Sequence, residues 1–335
     1  MIENPPRVPP TPQSSPADTP EAARPACEES TTLACTGPQA GRLHPGPPLG
    51  EDCWFLSGPT ASGKSALAVR MALELSAEIV SVDSMAVYRG LDVGTAKPTA
   101  EQRSRVPHHL VDVTDAAEPY SIARWLDDAS RAVAECRGRG NRILFVGGTP
   151  LYLRALRDGL ASLPAAERGL RDRLAAEAAA GGPEELHRRL AQLDPPSAAR
   201  IHPRDAKRII RALEVSITTG RPLSASFTAT PHPIFESRLM IVDRPRSDLH
   251  DRIDRRVERM FAEGLIEETA AALALPGGIG PTARQAAGYT EAIDLLAGRI
   301  DHAEAVLRTQ RRTRQLAKRQ LTWLRSFKQA IWIAA

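Results

Sequence analysis

Gly58-Pro59-Thr60-Ala61-Ser62-Gly63-Lys64-Ser65 has the spacing G-x-x-x-x-G-K-[ST]. Glycines at those positions let backbone N–H groups turn inward around phosphate oxygens, and a helix starting at the lysine adds a favourable partial positive charge. Lys64 is placed to hold a terminal phosphate, and the Ser65 hydroxyl to ligate Mg²⁺. The motif calls for a diphosphate or triphosphate without saying which molecule carries it. A kinase or NTPase needs an acid at the end of another strand. The run 142–146 ends in Gly147-Gly148-Thr149, which is not acidic, whereas Ile79-Val80-Ser81-Val82 ends in Asp83. Asp83 suits either a metal ligand or a base for a different nucleophile. Thr149, after two glycines, suits a close approach to a reacting oxygen or a helix N-cap. Arg252 and Arg256 are four apart and share a helix face.

These residues need a frame to bring them together. Cys53-Trp54-Phe55-Leu56-Ser57 is an apolar run broken by Gly58, as a buried parallel strand would be. Residues 65–75 read as helix, 78–82 as a second strand, 121–136 as helix and 142–146 as a third strand. Strand–helix alternation of this kind indicates a parallel α/β sheet. The texture then changes: 168–180, 184–193 and 204–218 read as helices, 238–242 as a strand returning to the sheet, and the chain from 249 onward as nearly all helix. The expected fold is therefore a P-loop NTPase-like parallel core over 51–159 and 236–335. A helical subdomain is inserted at 160–235, and the C-terminal region is helical.

Composition sets the outer limits. The 335 residues are 42% hydrophobic and 25% charged, an ordinary globular balance that can bury a substantial core. Residues 1–50 are crowded with Pro, Ser, Thr and Gly, cannot bury enough apolar surface to offset ordering, and are expected to be disordered. The formal charge is only +4, but Arg and Lys concentrate between 308 and 325, which suits either a polyanion partner or a solvated helix face. The four cysteines, Cys27, Cys35, Cys53 and Cys136, form no C-x-x-C pair, so a reduced cytoplasmic setting fits better than a disulfide or zinc framework. No apolar run is long enough to span a membrane.

Eight segments, in order, resemble the tRNA dimethylallyltransferase (tRNA isopentenyltransferase) family. They are the loop 58–65, Val82-Asp83-Ser84-Met85-Ala86-Val87-Tyr88, and Asp92-Val93-Gly94-Thr95-Ala96-Lys97-Pro98. Further on come Pro107-His108-His109-Leu110, Val146-Gly147-Gly148-Thr149, Arg200-Ile201-His202-Pro203 and Arg208-Ile209-Ile210-Arg211-Ala212-Leu213-Glu214. The last is Thr313-Arg314-Gln315-Leu316-Ala317-Lys318-Arg319-Gln320-Leu321-Thr322-Trp323-Leu324-Arg325. The family's loop more often ends in Thr, but Ser65 retains the hydroxyl. The resemblance implies transfer of a dimethylallyl group from dimethylallyl diphosphate to the exocyclic N6 amine of an adenosine. That adenosine would lie beside the anticodon of tRNA, on its 3′ side.

The resemblance further implies Asp83 as base or orienter of the amine, with Thr149 beside it. Lys64, the loop 58–65 and an arginine of the 249–256 segment would stabilise the leaving diphosphate; Arg252 is the preferred choice, with Arg256 next to it. Mg²⁺ would sit on Ser65. The tRNA anticodon stem-loop would meet Asp83 to Ala86, Thr149, Arg171, Lys207, Arg208, Ile209, Ile210, Arg211, Arg284, Gly288, Tyr289 and the basic C-terminal helix. A monomer is expected. The histidines 108, 109 and 202 are assigned no chemistry. A P-loop kinase, a prenyltransferase of free nucleotides and an inactive RNA-binding protein are the rival readings. The helical insertion and basic helix speak against the second, and intact Lys64, Asp83 and Thr149 against the third.

Overall fold

The structure is a computed structural model that describes residues 43–44, 46–164, 166–226 and 232–334. Most of the Pro-rich stretch expected to be disordered therefore lies outside the described residues. The first part of the chain runs β1 (Leu43–His44), β2 (Cys53–Ser57), α1 (Lys64–Leu75), β3 (Ala77–Ser81), α2 (Ala100–Arg105), β4 (His108–His109), α3 (Ile122–Gly138), β5 (Arg142–Val146) and α4 (Pro150–Asp158). It continues through β6 (Leu160–Ala161), α5 (Arg168–Gly181), α6 (Pro183–Leu193), α7 (Pro195–Arg200), α8 (Ala206–Thr219), α9 (Pro233–Ser237) and β7 (Leu239–Asp243). The last elements are α10 (Arg246–Ala262), α11 (Leu265–Ala274), α12 (Tyr289–Leu296), α13 (His302–Leu324) and β8 (Ile331–Ala334).

Six strands form one sheet in the order β4-β3-β5-β2-β7-β8, and every neighbouring pair is parallel. The period-two pattern of the central strands sends alternate residues to opposite faces. Phe55, Ile143 and Phe145 enter one apolar cluster, whereas Leu56 and Leu144 join Ala68, Val69 and Ala72 of α1 in another. On the first face Phe55 stacks on Phe145 with centroids 5.3 Å apart, and Phe235 and Phe327 close over them. Trp125 of α3 stacks on Tyr152 of α4 and donates from Nε1 to the Ser81 carbonyl at 3.0 Å, fixing α3 against the end of β3. Because the strands run the same way, the loops after β2, β3 and β5 emerge at one edge, where ligands bind in open α/β sheets.

Helices α5 to α8 have an apolar core of their own, built on Leu170, Leu174, Leu186, Leu190, Ile209 and Leu213. A carboxylate is sealed into it: Glu214 is 0% exposed. It accepts hydrogen bonds from Arg171, Arg211 and the Glu167 N–H. Asp194, also 0% exposed, caps α7 by accepting from the Ser197 N–H and ties in the Ser224 N–H. Four strands depart from the expected pattern. β1 falls in the stretch 1–50 expected to be disordered and is held by antiparallel pairing with β6, a second unexpected strand, from Leu43 opposite Ala161 to His44 opposite Leu160. β4 is two residues long, too short to carry a periodicity, and β8 follows the basic helix in a region expected to be helical. β8 extends the sheet by pairing with β7 from Met240 opposite Ile331 to Asp243 opposite Ala334. Among the described residues no helix is long and apolar enough to cross a membrane.

Candidate active site

The phosphate loop turns between β2 and α1. Gly63 caps α1 at φ 94°, a left-handed conformation that a side chain would strain. Burial pushes the Lys64 ammonium down to about 8, with Asp83 pulling it back up and Arg256 pushing it further down. Its Nζ donates to the Pro59 carbonyl at 3.2 Å. Three arginines grip the loop from outside: Arg244 donates to the Ser62 carbonyl at 2.7 Å, Arg252 to the Ala61 carbonyl at 2.8 Å, and Arg256 to the Thr60 hydroxyl at 3.0 Å. The Arg256 Nε is sealed from solvent with no protein partner among the described residues. Burial lowers the proton affinity of this guanidinium. A buried cation with a free donor is a strong demand for an anion.

Two cavities meet at this loop. The first, about 540 Å³, is lined by loop residues with Arg252, Arg255, Arg256 and Arg259, all on one side of α10. The second, about 380 Å³, holds Asp83, Ser84, Thr149, Lys64 and Arg256 together with Arg312, Arg319 and Gln320 of α13. Lys64, Ser65 and Arg256 line both. An anion held there would present its far end to Asp83 and Thr149.

Asp83 follows the end of β3. Its Oδ1 accepts from the Met85 N–H at 2.8 Å and the Ala86 N–H at 3.4 Å, so the carboxylate organises its own turn. Thr149 stands at the N-cap position of α4, but its side chain makes no cap hydrogen bond. Its Oγ1 accepts instead from the Ser84 N–H at 3.1 Å, which faces the hydroxyl toward the Asp83 turn. Gly147 permits this approach: a Cβ there would lie 2.1 Å from the Val82 carbonyl oxygen. The loop beyond is anchored twice. Lys97, with a side chain only 2% exposed, bonds Asp92 and Asp112. Glu268 of α11 accepts from the Asp92 and Val93 N–H groups and from the Tyr289 hydroxyl.

A second cluster of titratable groups lies elsewhere. Glu78, His109 and Cys136 bring ligand atoms within 4.8 Å of one another. The carboxylate is already engaged by Arg139, Asn141 and His109. Hydrogen bonds from Arg139, more than any other cause, hold it well below the usual carboxylate range. Burial pushes the Cys136 thiol up to about 12. With the carboxylate bonded by these protein donors, the cluster acts as an ionic clasp joining β3, β4 and α3.

The family model described as IPP transferase matches residues 86–327, and that described as isopentenyl transferase matches residues 51–109. The chain belongs to the IPP transferase family. Among relatives, a tRNA dimethylallyltransferase of Geobacter metallireducens is 45% identical over 284 residues, covering 83% of this chain and 91% of its own. One of Anaeromyxobacter sp. is 49% identical over 280 residues, covering 83% and 93%. Among solved structures, the tRNA isopentenylpyrophosphate transferase of Bacillus halodurans superposes with a TM-score of 0.60 at 39% identity, covering 85% of this chain and 90% of that one. A eukaryotic dimethylallyltransferase acting on tRNA gives a TM-score of 0.70 at 25% identity, covering 84% and 73%.

In this member of the IPP transferase family the phosphate loop, Lys64, Asp83, Ser84 and Thr149 come together as the sequence suggests. Other expected residues are placed differently from one another. Arg252 lines the phosphate-loop cavity with Lys64 but not the one that contains Asp83; Arg256, one turn further along α10, lines both. Ile209 and Tyr289 are 0% exposed and belong to apolar clusters, so neither side chain faces RNA. Gly288 is buried, with a Leu265 methyl 2.5 Å from where a Cβ would stand, and Ile210 packs on the core of the inserted helices. Arg171 and Arg211 hold Glu214. Lys207, Arg208 and Arg284 are exposed. The sequence assigned no role to Arg244, Arg255 and Arg259 around the loop, and it marked Arg312, Arg319 and Gln320 only as part of the basic C-terminal helix, not as cavity residues. For the last three, the recurrence 312, 316, 319 and 320 along α13 is the helical stripe that could have identified them.

Proposed function

We propose that the chain transfers a dimethylallyl group from dimethylallyl diphosphate to the N6 amine of the adenosine 3′-adjacent to the anticodon of tRNA. The observation that carries this reading is the union, in one cavity, of an anion-demanding half (Lys64, Arg256) and a proton-accepting half (Asp83, Thr149). The N6 nitrogen bonds to the allylic carbon as the carbon–oxygen bond to diphosphate breaks. Asp83 accepts the amine proton or orients the amine, and the Thr149 hydroxyl reaches the same nitrogen or the bridging oxygen. Lys64, Arg256 and the loop amides meet the charge that grows on the departing diphosphate. The oxygen donors Ser65 and Asp83 line the same cavity, a hard-ligand set that suits Mg²⁺ shared with phosphate oxygens. Mg²⁺ bound there would add positive charge beside the leaving group.

An amine inside the anticodon loop is reached only when its nucleotide leaves the stack. The exposed Lys207 and Arg208 of α8, and Lys318 and Arg319 of α13, would hold the backbone of the RNA around the extruded base. The inserted helices at 160–235 would then serve as the RNA-holding subdomain, in an enzyme whose sequence leads us to expect a cytoplasmic monomer. The test is mass analysis of an anticodon stem-loop after incubation with the protein, Mg²⁺ and dimethylallyl diphosphate. The expected gain is one dimethylallyl group on the adenosine. An unmodified RNA, with donor intact, would overturn the assignment.

A further inference from the structure

The two halves of the cavity come from loops far apart in sequence, and one side chain bridges them. Gln320 of α13 is 7% exposed. Its Oε1 accepts from the Thr60 N–H at 2.8 Å, and its Nε2 donates to the Gly148 carbonyl at 2.8 Å. The amide has one workable orientation, because a backbone N–H only donates and a carbonyl only accepts. The backbone closes tightly on it: a Cβ at Gly148 would stand 2.7 Å from the Gln320 Nε2 and 3.0 Å from the Gly58 carbonyl oxygen. Each partner leads directly to a working group. The Thr60 hydroxyl holds Arg256. Gly148 precedes Thr149, whose hydroxyl is bonded to the Ser84 N–H beside Asp83.

We infer that Gln320 is a positioning residue that sets the spacing between the diphosphate-holding loop and the acceptor-holding loop. It lines the same cavity, but both polar atoms of its amide are spent on Thr60 and Gly148, and it acts through them. Transfer between two bound reactants is steep in their separation, about 10²-fold for a misplacement of about 1 Å. A neutral amide suits the post because a charge there would face either a carbonyl or the cationic loop. Leu316 and Arg319 of the same helix line the cavity as well, so α13 both shapes the acceptor side and pins the phosphate side.

The inference rests on the proposed transfer reaction, and its test separates the two. Gln320→Leu and Gln320→Glu are compared with the unaltered full chain in single-turnover transfer to a stem-loop, with donor affinity and melting temperature measured alongside. Gln320→Leu should lower the single-turnover rate by about 10–100-fold while changing the donor dissociation constant by less than about threefold. Gln320→Glu should show a signature of its own. Its carboxylate still accepts from Thr60 but cannot donate to Gly148; once protonated it does both. The ratio of its rate to the unaltered rate should therefore rise as pH falls through the pKa of that carboxyl, which burial against a carbonyl raises.

A ratio that stays flat with pH would overturn the inference, even if Gln320→Leu fails to fold. An unchanged single-turnover rate in folded Gln320→Leu would overturn it as well. No transfer by the unaltered chain would instead sink the reaction itself.

Discussion

Replacing Asp83 by Asn removes a negative charge and a base while sparing the local turn. The Oδ1 that accepts from the Met85 and Ala86 N–H groups survives in Asn, so the loop after β3 should keep its shape. Loss of general-base help is expected to slow single-turnover transfer by about 10²–10⁴-fold. At about 1.4 kcal/mol per tenfold, that adds about 2.7–5.4 kcal/mol to the barrier. Lys64 supplies a second consequence. Its pKa is already about 8 because of burial, and Asp83 is the group that raises it. Without that carboxylate the folded pKa falls below about 8, so a larger share of Lys64 is neutral at neutral pH in the free protein. Donor binding then requires proton uptake. The affinity of Asp83→Asn for dimethylallyl diphosphate should weaken as pH rises, and the weakening should begin at lower pH than in the unaltered chain.

The assay is single-turnover transfer and direct donor titration from pH 6 to about 9, with Mg²⁺ varied. A deficit cured by excess Mg²⁺ would assign Asp83 to the metal rather than to the amine. A near-normal rate at ordinary Mg²⁺ would refute both roles. Superimposable pH profiles of donor affinity would refute the link to Lys64.

Other outcomes follow from the charge placements. Arg208→Ala should weaken stem-loop binding and reduce the slope of log affinity against log salt by about one, as for one lost phosphate contact; an unchanged slope in a salt titration would place Arg208 away from the RNA. Arg211→Ala should instead lower the stability of the chain by about 1–3 kcal/mol, because Glu214 keeps Arg171 and the Glu167 N–H but loses a charged partner; urea unfolding that matches the unaltered chain would contradict this. Glu78, whose ordinary value is 4.5, is held lower in the folded chain, chiefly by Arg139. Its contribution to stability is therefore complete above about pH 4.5 and lost as pH falls toward the folded value. Glu78→Gln should unfold more readily at neutral pH and show a shallower loss of stability below about 4.5, read from melting temperatures across an acid series.

The sequence determined whatever is written in one contiguous stretch. The phosphate loop was legible because its function resides in backbone turns and one lysine, all within residues 58–65. The central strands β2, β3, β5 and β7 were legible within a residue at each end, because strands buried on both faces read as unbroken apolar runs. Asp83 and Thr149 stood out because each follows such a strand, and parallel strands deliver their ends to one edge. The inserted helices were visible as a change to Ala-, Leu- and Arg-rich texture.

Only the tertiary structure could decide between side chains of like chemistry. Arg252 and Arg256 share a helix face and both bond the phosphate loop, and only packing shows that Arg256 also lines the cavity with Asp83. Tyr289 and Ile209 were both expected to meet RNA, yet packing against α11 and within the inserted helices buries them. Arg211 looks in sequence like a phosphate contact, but Glu214, three residues on, has lost its water and requires the arginine's charge. Strand β8 is set by pairing with β7, a long-range hydrogen-bond pattern with no local signature. Gln320 joins Thr60 and Gly148 across separations of 260 and 172 residues. Such a contact comes into being only when the chain folds, because it joins two backbone groups that lie far from Gln320 in sequence.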